Sequence, residues 1–403
     1  MALAHRGLAA ILSSSPKDIV ILSSIRTPIC RAYKGGLREA YAEELLATVL
    51  DATRRRLPPS VRIDDVSVGV VLSQLGGSKA ARAALNHVGY PAGQTSLYTV
   101  NRACASSLQA LASTAASLRA GDVDVAVAAG MESMTRNYGS RAVPTDPWPT
   151  IVQSDVKDAR DCLMPMGLTA ENVARRYGVS RAAQDRFAAE SHRRAAEARA
   201  KGLFDAETVA VTLADGILVT ADDGIREGTT EEKLSRLPPA FLPDDGSCTA
   251  GNSSQISDGA AATVLTTRQN ASDLGVQDRI IGRFVSAAVA GCRPDEMGVG
   301  PAIAVPRLLD RLGLRIEDVR AWELNEAFAA QAIYCLRELG LEEAWEEGRV
   351  NGRGGAIALG HPLGATGARL TATLLHGMAP GDMGVVSLCV GTGMGMAALF
   401  VRE

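Results

Sequence analysis

LYTVNRACASSLQALASTAASLRAG, residues Leu97–Gly121, sets a short β-prone run against a helical pattern with one cysteine at the joint. Leu97–Val100 reads as a strand. Leu108, Leu111, Ala115 and Leu118 then fall at i, i+3, i+7 and i+10 on one helix face, and Gly121 stops the helix. Cys104 therefore stands at a helix N-terminus, where free backbone N–H groups and the helix dipole stabilise a thiolate and lower its pKa. A strand–cysteine–helix joint suits a nucleophile. It equally suits a buried cysteine at an ordinary junction, and this stretch alone does not separate the two.

Outward from this segment the alternation continues. Asp18–Leu22 (DIVIL), Val66–Leu72 (VSVGVVL) and Val123–Ala129 (VDVAVAA) are apolar, β-rich runs of buried-strand type. In the last third, Val319–Leu324 leads into a helix-like run at Glu326–Leu339, followed by strands at Gly384–Cys389 and Met396–Val401. Strand, glycine and methionine recur in VDVAVAAGMESM near residue 130 and GVVSLCVGTGMGM near residue 390, which suggests an internal duplication. The middle is different, being richer in charge and proline, with an amphipathic helix at Arg181–Lys201. An α/β fold of two similar halves is expected, with an insertion carried on the first half. The boundaries read as a flexible leader at 1–17, a first half at 18–136 resumed at 250–278, an inserted loop domain at 137–249, and a second half at 279–403.

Of 403 residues, 46% are hydrophobic and 22% charged, enough for large cores and against extended disorder. Net charge is −3, which gives no support for nucleic-acid binding. No apolar run approaches the ~20 residues that cross a bilayer, so no membrane partner is expected. Seven cysteines without CxxC spacing and five scattered histidines point to neither a disulfide framework nor a metal site.

Three further segments carry chemistry. His361 lies in GGAIALGHPLGATG (Gly354–Gly367), a glycine-rich loop that lets backbone approach a substrate while histidine serves as a general base; the GK[ST] ending of a P-loop is missing. Cys389 opens CVGTGMG (Cys389–Gly395), whose glycines can leave N–H groups free for an oxyanion hole. Asn325, in LNEAFA (Leu324–Ala329), stands at a strand-to-helix junction, where a plain helix cap is the competing reading.

In their order and spacing these four segments resemble the signature blocks of the thiolase superfamily. RTPICRAYKGG at Arg26, AGMESM at Ala129, ARDCLMPMGLTAENVA at Ala159, TAGNSSQISDGAA at Thr249 and MGVGPAIAVP at Met297 extend the resemblance over nearly the whole chain. ARDCLMPMG and CVGTGMG look like the 3-ketoacyl-CoA thiolases of peroxisomal type; acetoacetyl-CoA thiolases usually carry a histidine where Pro165 stands. The resemblance implies a five-layer αβαβα sandwich and thiolytic cleavage of 3-oxoacyl-CoA, with coenzyme A as co-substrate, acyl-CoA as substrate and no metal. It makes Cys104 the acylated nucleophile and His361 its base. Cys389 protonates the departing carbanion and later activates the CoA thiol. Asn325 holds a water that forms one oxyanion hole with His361, and the backbone N–H groups of Cys104 and Gly391 form the other. It assigns Ser254, Arg226, Met166 and Phe241 to CoA and substrate contacts, and implies a homodimer or a tetramer.

Several positions depart from the pattern. Ser107 replaces a usual glycine, Ala103 a glutamine, Ala365 a cysteine and Gly352 a proline. Ser107 is expected to stand close to the acylated cysteine and reshape the acyl pocket, as in a pathway-specific relative acting on an unusual acyl-CoA. A condensing ketoacyl synthase is disfavoured by Cys389, and a non-catalytic role by the retention of all four chemical groups. The family type implies a peroxisomal location, but the usual amino-terminal signal is not recognisable, and cytoplasmic or mitochondrial placement is the alternative.

Overall fold

The computed structural model describes residues 7–138 and 144–403. The first half supplies strands β1 (Ile19–Arg26), β2 (Asp65–Gly69), β3 (Ser96–Val100), β4 (Val125–Ser133) and β5 (Ser257–Thr267). The second supplies β6 (Gly282–Gly291), β7 (Ala321–Leu324), β8 (Met383–Val390) and β9 (Met394–Arg402). Their order is β3-β2-β4-β5-β1 and, continuing, β6-β9-β8-β7. In each half the β2- or β7-type strand runs parallel to its inner neighbour, and the next two pairings are antiparallel. Beyond β7 a single parallel bridge from Trp322 to Val350 takes the place that β3 has in the first half. The duplication suggested by the two strand–glycine–methionine runs is thus a repeat of topology. The halves meet where Ile19–Ile21 of β1 pairs with Gly282–Phe284 of β6.

Helices complete five layers. α1 (Ala42–Arg56) and α2 (Ser78–His87) cover the outer face of the first sheet, packing Leu46 and Val49 with Val66, Val68 and Val127. α3 (Ser106–Ala120) and α8 (Thr366–Gly377) fill the centre, where Leu108, Leu111 and Leu118 meet Leu370, Leu374, Val386 and Phe400. α6 (Gly300–Leu312) and α7 (Ala329–Leu339) cover the second sheet's outer face. The predicted stripe of α3 is wholly buried, and each such leucine contributes ~1.5–3 kcal/mol. Gly121 ends α3 in the left-handed conformation at φ 80°, donating back to Leu118 and Ser117.

Between β4 and β5 the chain leaves the first half and forms α4 (Met166–Arg176) and α5 (Arg181–Ala200). It is tied back by the buried Arg26 guanidinium, which donates to Glu207 at 2.6 Å and in bidentate fashion to Asp222 at 2.7 and 2.9 Å. The flexible leader expected over 1–17 needs correction in its described part, residues 1–6 lying outside the described residues. From Gly7 it is docked: Leu8–Leu12 is helical, Ile11 is buried in the outer core of the second half, and the Gly7 N–H donates to Leu312 O at 2.6 Å. Its partner surface lies some three hundred residues away in the chain, so a five-residue apolar run read as leader rather than as a packing helix.

Candidate active site

Cys104 follows β3 through a turn held by its own side chains. Asn101 Oδ1 accepts the Ala103 N–H at 2.9 Å; the Ser106 hydroxyl donates to Ala103 O at 2.6 Å and accepts the Arg102 N–H at 2.9 Å. Ala103 is forced to φ 41°, a strained left-handed position directly before the candidate nucleophile. The helix itself begins only at Ser106. The lowered thiol pKa expected at a helix N-terminus is corrected here: burial pushes the Cys104 thiol up to about 11. The N–H groups of Gly391 and of Cys104 itself face the sulfur and work against that rise, while the Glu132 carboxylate adds to it. A thiol so placed needs a base.

His361 supplies an imidazole at the right state of protonation. Burial, with the nearby Arg369 charge, holds it down to about 3, so it is neutral near pH 7. Its Nδ1 lies 2.7 Å from Thr366 Oγ1 and its Nε2 3.4 Å from Asn325 Nδ2, and its backbone N–H donates to Gln255 O at 3.0 Å. With Nδ1–H given to Thr366, Nε2 presents its lone pair beside the Asn325 amide. Asn325 does not cap the following helix, whose N-cap is Phe328. It is fully buried, and its Oδ1 has no hydrogen-bond partner among the described residues. The helix predicted from Glu326 starts only at Ala329, because the backbone before it is paired with the 252–254 segment: the Ser254 N–H donates to Ala327 O and the Ala329 N–H to Asn252 O, while the Glu326 carboxylate accepts from Ser191, Asn351 and the Ile357 N–H.

Cys389 ends β8, fully buried beside Met297 and Ala327. Burial, and then the Cys104 sulfur, hold its thiol well above its ordinary value. The hairpin that follows carries Gly391, then Thr392 at φ 73° and Gly393 at φ 92°. A β-branched residue in the left-handed region costs of order 1–3 kcal/mol. Strained residues thus flank both backbone donors, Ala103 before Cys104 and Thr392 after Gly391.

Three of the four residues assigned to CoA and substrate lie around Ala327 and Phe328. Met166 packs on the group around Cys389; Phe241 meets Phe328 edge-on at 5.9 Å; the Ser254 N–H donates to Ala327 O at 3.0 Å. Arg226 is exposed and lies apart, reaching this group only through Gln255 Oε1 at 3.5 Å. Sequence reasoning missed Gln255, whose carbonyl holds the His361 backbone, and Thr366, five residues along the same glycine-rich loop. It also missed Glu132. That buried carboxylate accepts N–H groups of Val71, Leu72 and Gly364 at 3.0–3.2 Å, and burial lifts it to about 7. Its place in AGMESM gave no sign that a charge is buried there.

One charge cluster fastens the inserted region over the Thr392–Gly393 turn. Asp295, 1% exposed, accepts from Lys157 at 2.7 Å, Arg176 at 2.5 Å and Arg293 at 3.1 Å. Its segment abuts the turn, since a Cβ on Gly393 would meet Pro294 N at 2.8 Å. These cations hold the carboxyl far below its ordinary range, so its contribution is fully present above pH ~4 and is lost as pH falls further. Asp295→Asn is expected to cost ~2–3 kcal/mol at pH 7, less than a fully buried pair because Lys157 and Arg293 are solvated. Urea midpoints at pH 7 and in acid check this: the gap between variant and parent narrows as pH falls, and an unchanged gap would refute the ionic account.

Among the described residues no group of His, Cys, Asp and Glu is placed to hold a metal ion, and no helix is long and apolar enough to cross a membrane. Two family models match: the thiolase N-terminal domain over residues 19–269 and the thiolase C-terminal domain over residues 278–402. The chain is 46% identical over 409 residues to the peroxisomal 3-ketoacyl-CoA thiolase of Homo sapiens, covering 97% of this chain and 93% of that one. The crystal structure of the dimeric peroxisomal thiolase of Saccharomyces cerevisiae superposes with a TM-score of 0.94 at 40% identity, covering 98% of this chain and all of that one. The Acat5 thiolase of Ascaris suum in complex with coenzyme A superposes with a TM-score of 0.83 at 36% identity, over 96% of this chain and all of that one.

Proposed function

The chain belongs to the thiolase family, and from that premise we propose that it is an acyltransferase cleaving 3-oxoacyl-CoA with coenzyme A to acetyl-CoA and a shortened acyl-CoA. The observation that carries this reading is the neutral His361 imidazole beside Asn325, with two backbone N–H groups aimed at the Cys104 sulfur. His361 Nε2 takes the Cys104 thiol proton, and the sulfur attacks the 3-oxo carbon. The C2–C3 bond breaks, its electron pair stays on C2, and the Cys389 thiol protonates that carbon, releasing acetyl-CoA. The resulting Cys389 thiolate then deprotonates the incoming CoA thiol. Its attack on the acyl-cysteine thioester returns Cys104, which recovers its proton from His361. Oxyanions in both halves of the cycle are met by fixed donors: the Cys104 and Gly391 N–H groups at one site, and His361 with an Asn325-held water at the other.

Met166, Phe241 and Ser254 are assigned to the acyl-pantetheine path and Arg226 to the outer end of CoA. The exposed guanidinium of Arg226, set away from the sulfurs, suits the phosphate-bearing part of that ligand. By analogy with the dimeric peroxisomal thiolase of Saccharomyces cerevisiae and the peroxisomal human enzyme, the working form is a homodimer in peroxisomes. CoA-dependent loss of 3-oxoacyl-CoA substrates from C4 to C16, with mass spectrometry of the protein quenched before CoA is added, tests the proposal. Cleavage with an acyl adduct on the Cys104 peptide is expected. Absence of both across the series would overturn it.

A further inference from the structure

We propose that Ser107 is a positioning residue that fastens the nucleophile's helix to the helix supporting the base, by capping the second helix from across the molecule. α8 starts inside the protein: Thr366 is fully buried and Ala368 is 1% exposed. Its own N-cap residue, Ala365, has no side-chain acceptor. Buried first-turn N–H groups without an acceptor are costly, and a serine hydroxyl is the usual remedy, serving the second or third residue of its own helix. Here Ser107 Oγ accepts the N–H of Ala368, the third residue of α8, at 2.9 Å.

The sequence expectation set Ser107 at the acyl pocket; the contact the structure gives its hydroxyl is with α8. The residue is tightly enclosed. A Cβ on Gly69 would meet Ser107 N at 2.2 Å, and one on Gly130 would meet Ser107 Cβ at 2.7 Å. Ser107 lies three residues after Cys104, and Thr366, which holds His361 Nδ1, lies two before Ala368. One hydrogen bond therefore joins the segment carrying the thiol to the segment that orients its base. Other first-turn ties are short-range: Ser106 closes only on Ala103 and Arg102.

The inference rests on the thiolase reading of Cys104 and His361, but it can be tested separately. In Ser107→Ala, kcat is expected to fall about tenfold, with KM for CoA and 3-oxoacyl-CoA within about twofold, as small misplacement of reacting groups does. The rate of Cys104 alkylation by iodoacetamide near pH 7.5 should fall by a similar factor, and its rise with pH should move to higher pH as the thiol loses its aligned base. Ser107→Gly gives the same readings if the alanine variant does not fold. A lower melting midpoint with parental kcat and an unmoved alkylation profile would make Ser107 a helix cap only and overturn the proposal. Because alkylation needs no substrate, a parent enzyme that fails to cleave 3-oxoacyl-CoA would sink the functional reading while leaving the alkylation profile to decide this one.

Discussion

Cys104→Ala is expected to abolish CoA-dependent cleavage, with a loss of at least ~10⁴-fold, because removing the proposed nucleophile removes the covalent route and leaves only binding and oxyanion contacts. No neighbouring sulfur can take over. Cys389 is fully buried, and burial, which persists when the Cys104 sulfur is removed, holds its thiol above its ordinary value. The substitution should leave the fold intact, since the turn at Ala103 is held by Asn101 and Ser106 and not by the sulfur. Steady-state cleavage, a melting curve and intact-protein mass after substrate addition make the check. A variant that melts like the parent, forms no acyl adduct and turns over nothing is the expected result. Turnover above about one percent of the parent's would transfer the nucleophile's role elsewhere.

The loss is expected to exceed that from any substitution that only positions groups, and the reason lies in how the site is assembled. The thiol comes from the first half, after β3. The base and the second thiol come from the second half, after the Trp322–Val350 edge and at the end of β8. β4 ends in Glu132 and Ser133 and β8 in Cys389 and Val390: the first strand closes on a buried carboxylate that holds N–H groups, the second on the thiol proposed above as acid and base.

Legibility in the sequence followed the range of the interactions. The strand–Cys104–helix joint could be read because apolar spacing, the cysteine and Gly121 all lie within twenty-five residues. The five-layer arrangement was implied by resemblance, whereas internal pattern alone reached only two α/β halves and an insertion. The raised Cys104 thiol was misjudged because a helix N-terminus is a local feature, while burial under the Gly391 hairpin comes from the far end of the chain. Glu132 and the tie that Ser107 makes to α8 were passed over for the same reason. The N–H donors whose bonds the two side chains accept, those of Gly364 and Ala368, are more than two hundred residues away. Ile11 shows the same limit outside the site, since its packing partners belong to α6.

His361→Ala is expected to lower cleavage near pH 7.5 by ~10³–10⁴-fold, and the size follows from the thiol. With Cys104 at about 11, roughly one sulfur in several thousand is ionised at that pH without a base. The imidazole removes that penalty in the parent, being neutral at every pH well above about 3. The two proteins should therefore differ in pH dependence as well as in rate. Parental kcat/KM should be nearly flat from pH 6.5 to 9 as far as this pair governs it. The variant's residual rate should climb close to tenfold per pH unit over the same range, as free thiolate accumulates. Stability should move in the opposite sense at low pH. Between the unfolded histidine's ordinary value of ~6.5 and the folded value near 3, the unfolded chain binds a proton that the folded chain refuses. The stability tied to a neutral His361 is thus complete above that window and drains away as pH falls through it. The alanine variant has no such proton to refuse, so its urea midpoint should fall less steeply between pH 6.5 and 4 than the parent's. A flat pH–rate profile in the variant would mean that another group deprotonates Cys104 and would remove His361 as its base. Parallel acid-stability curves would mean that His361 is not held neutral by the fold.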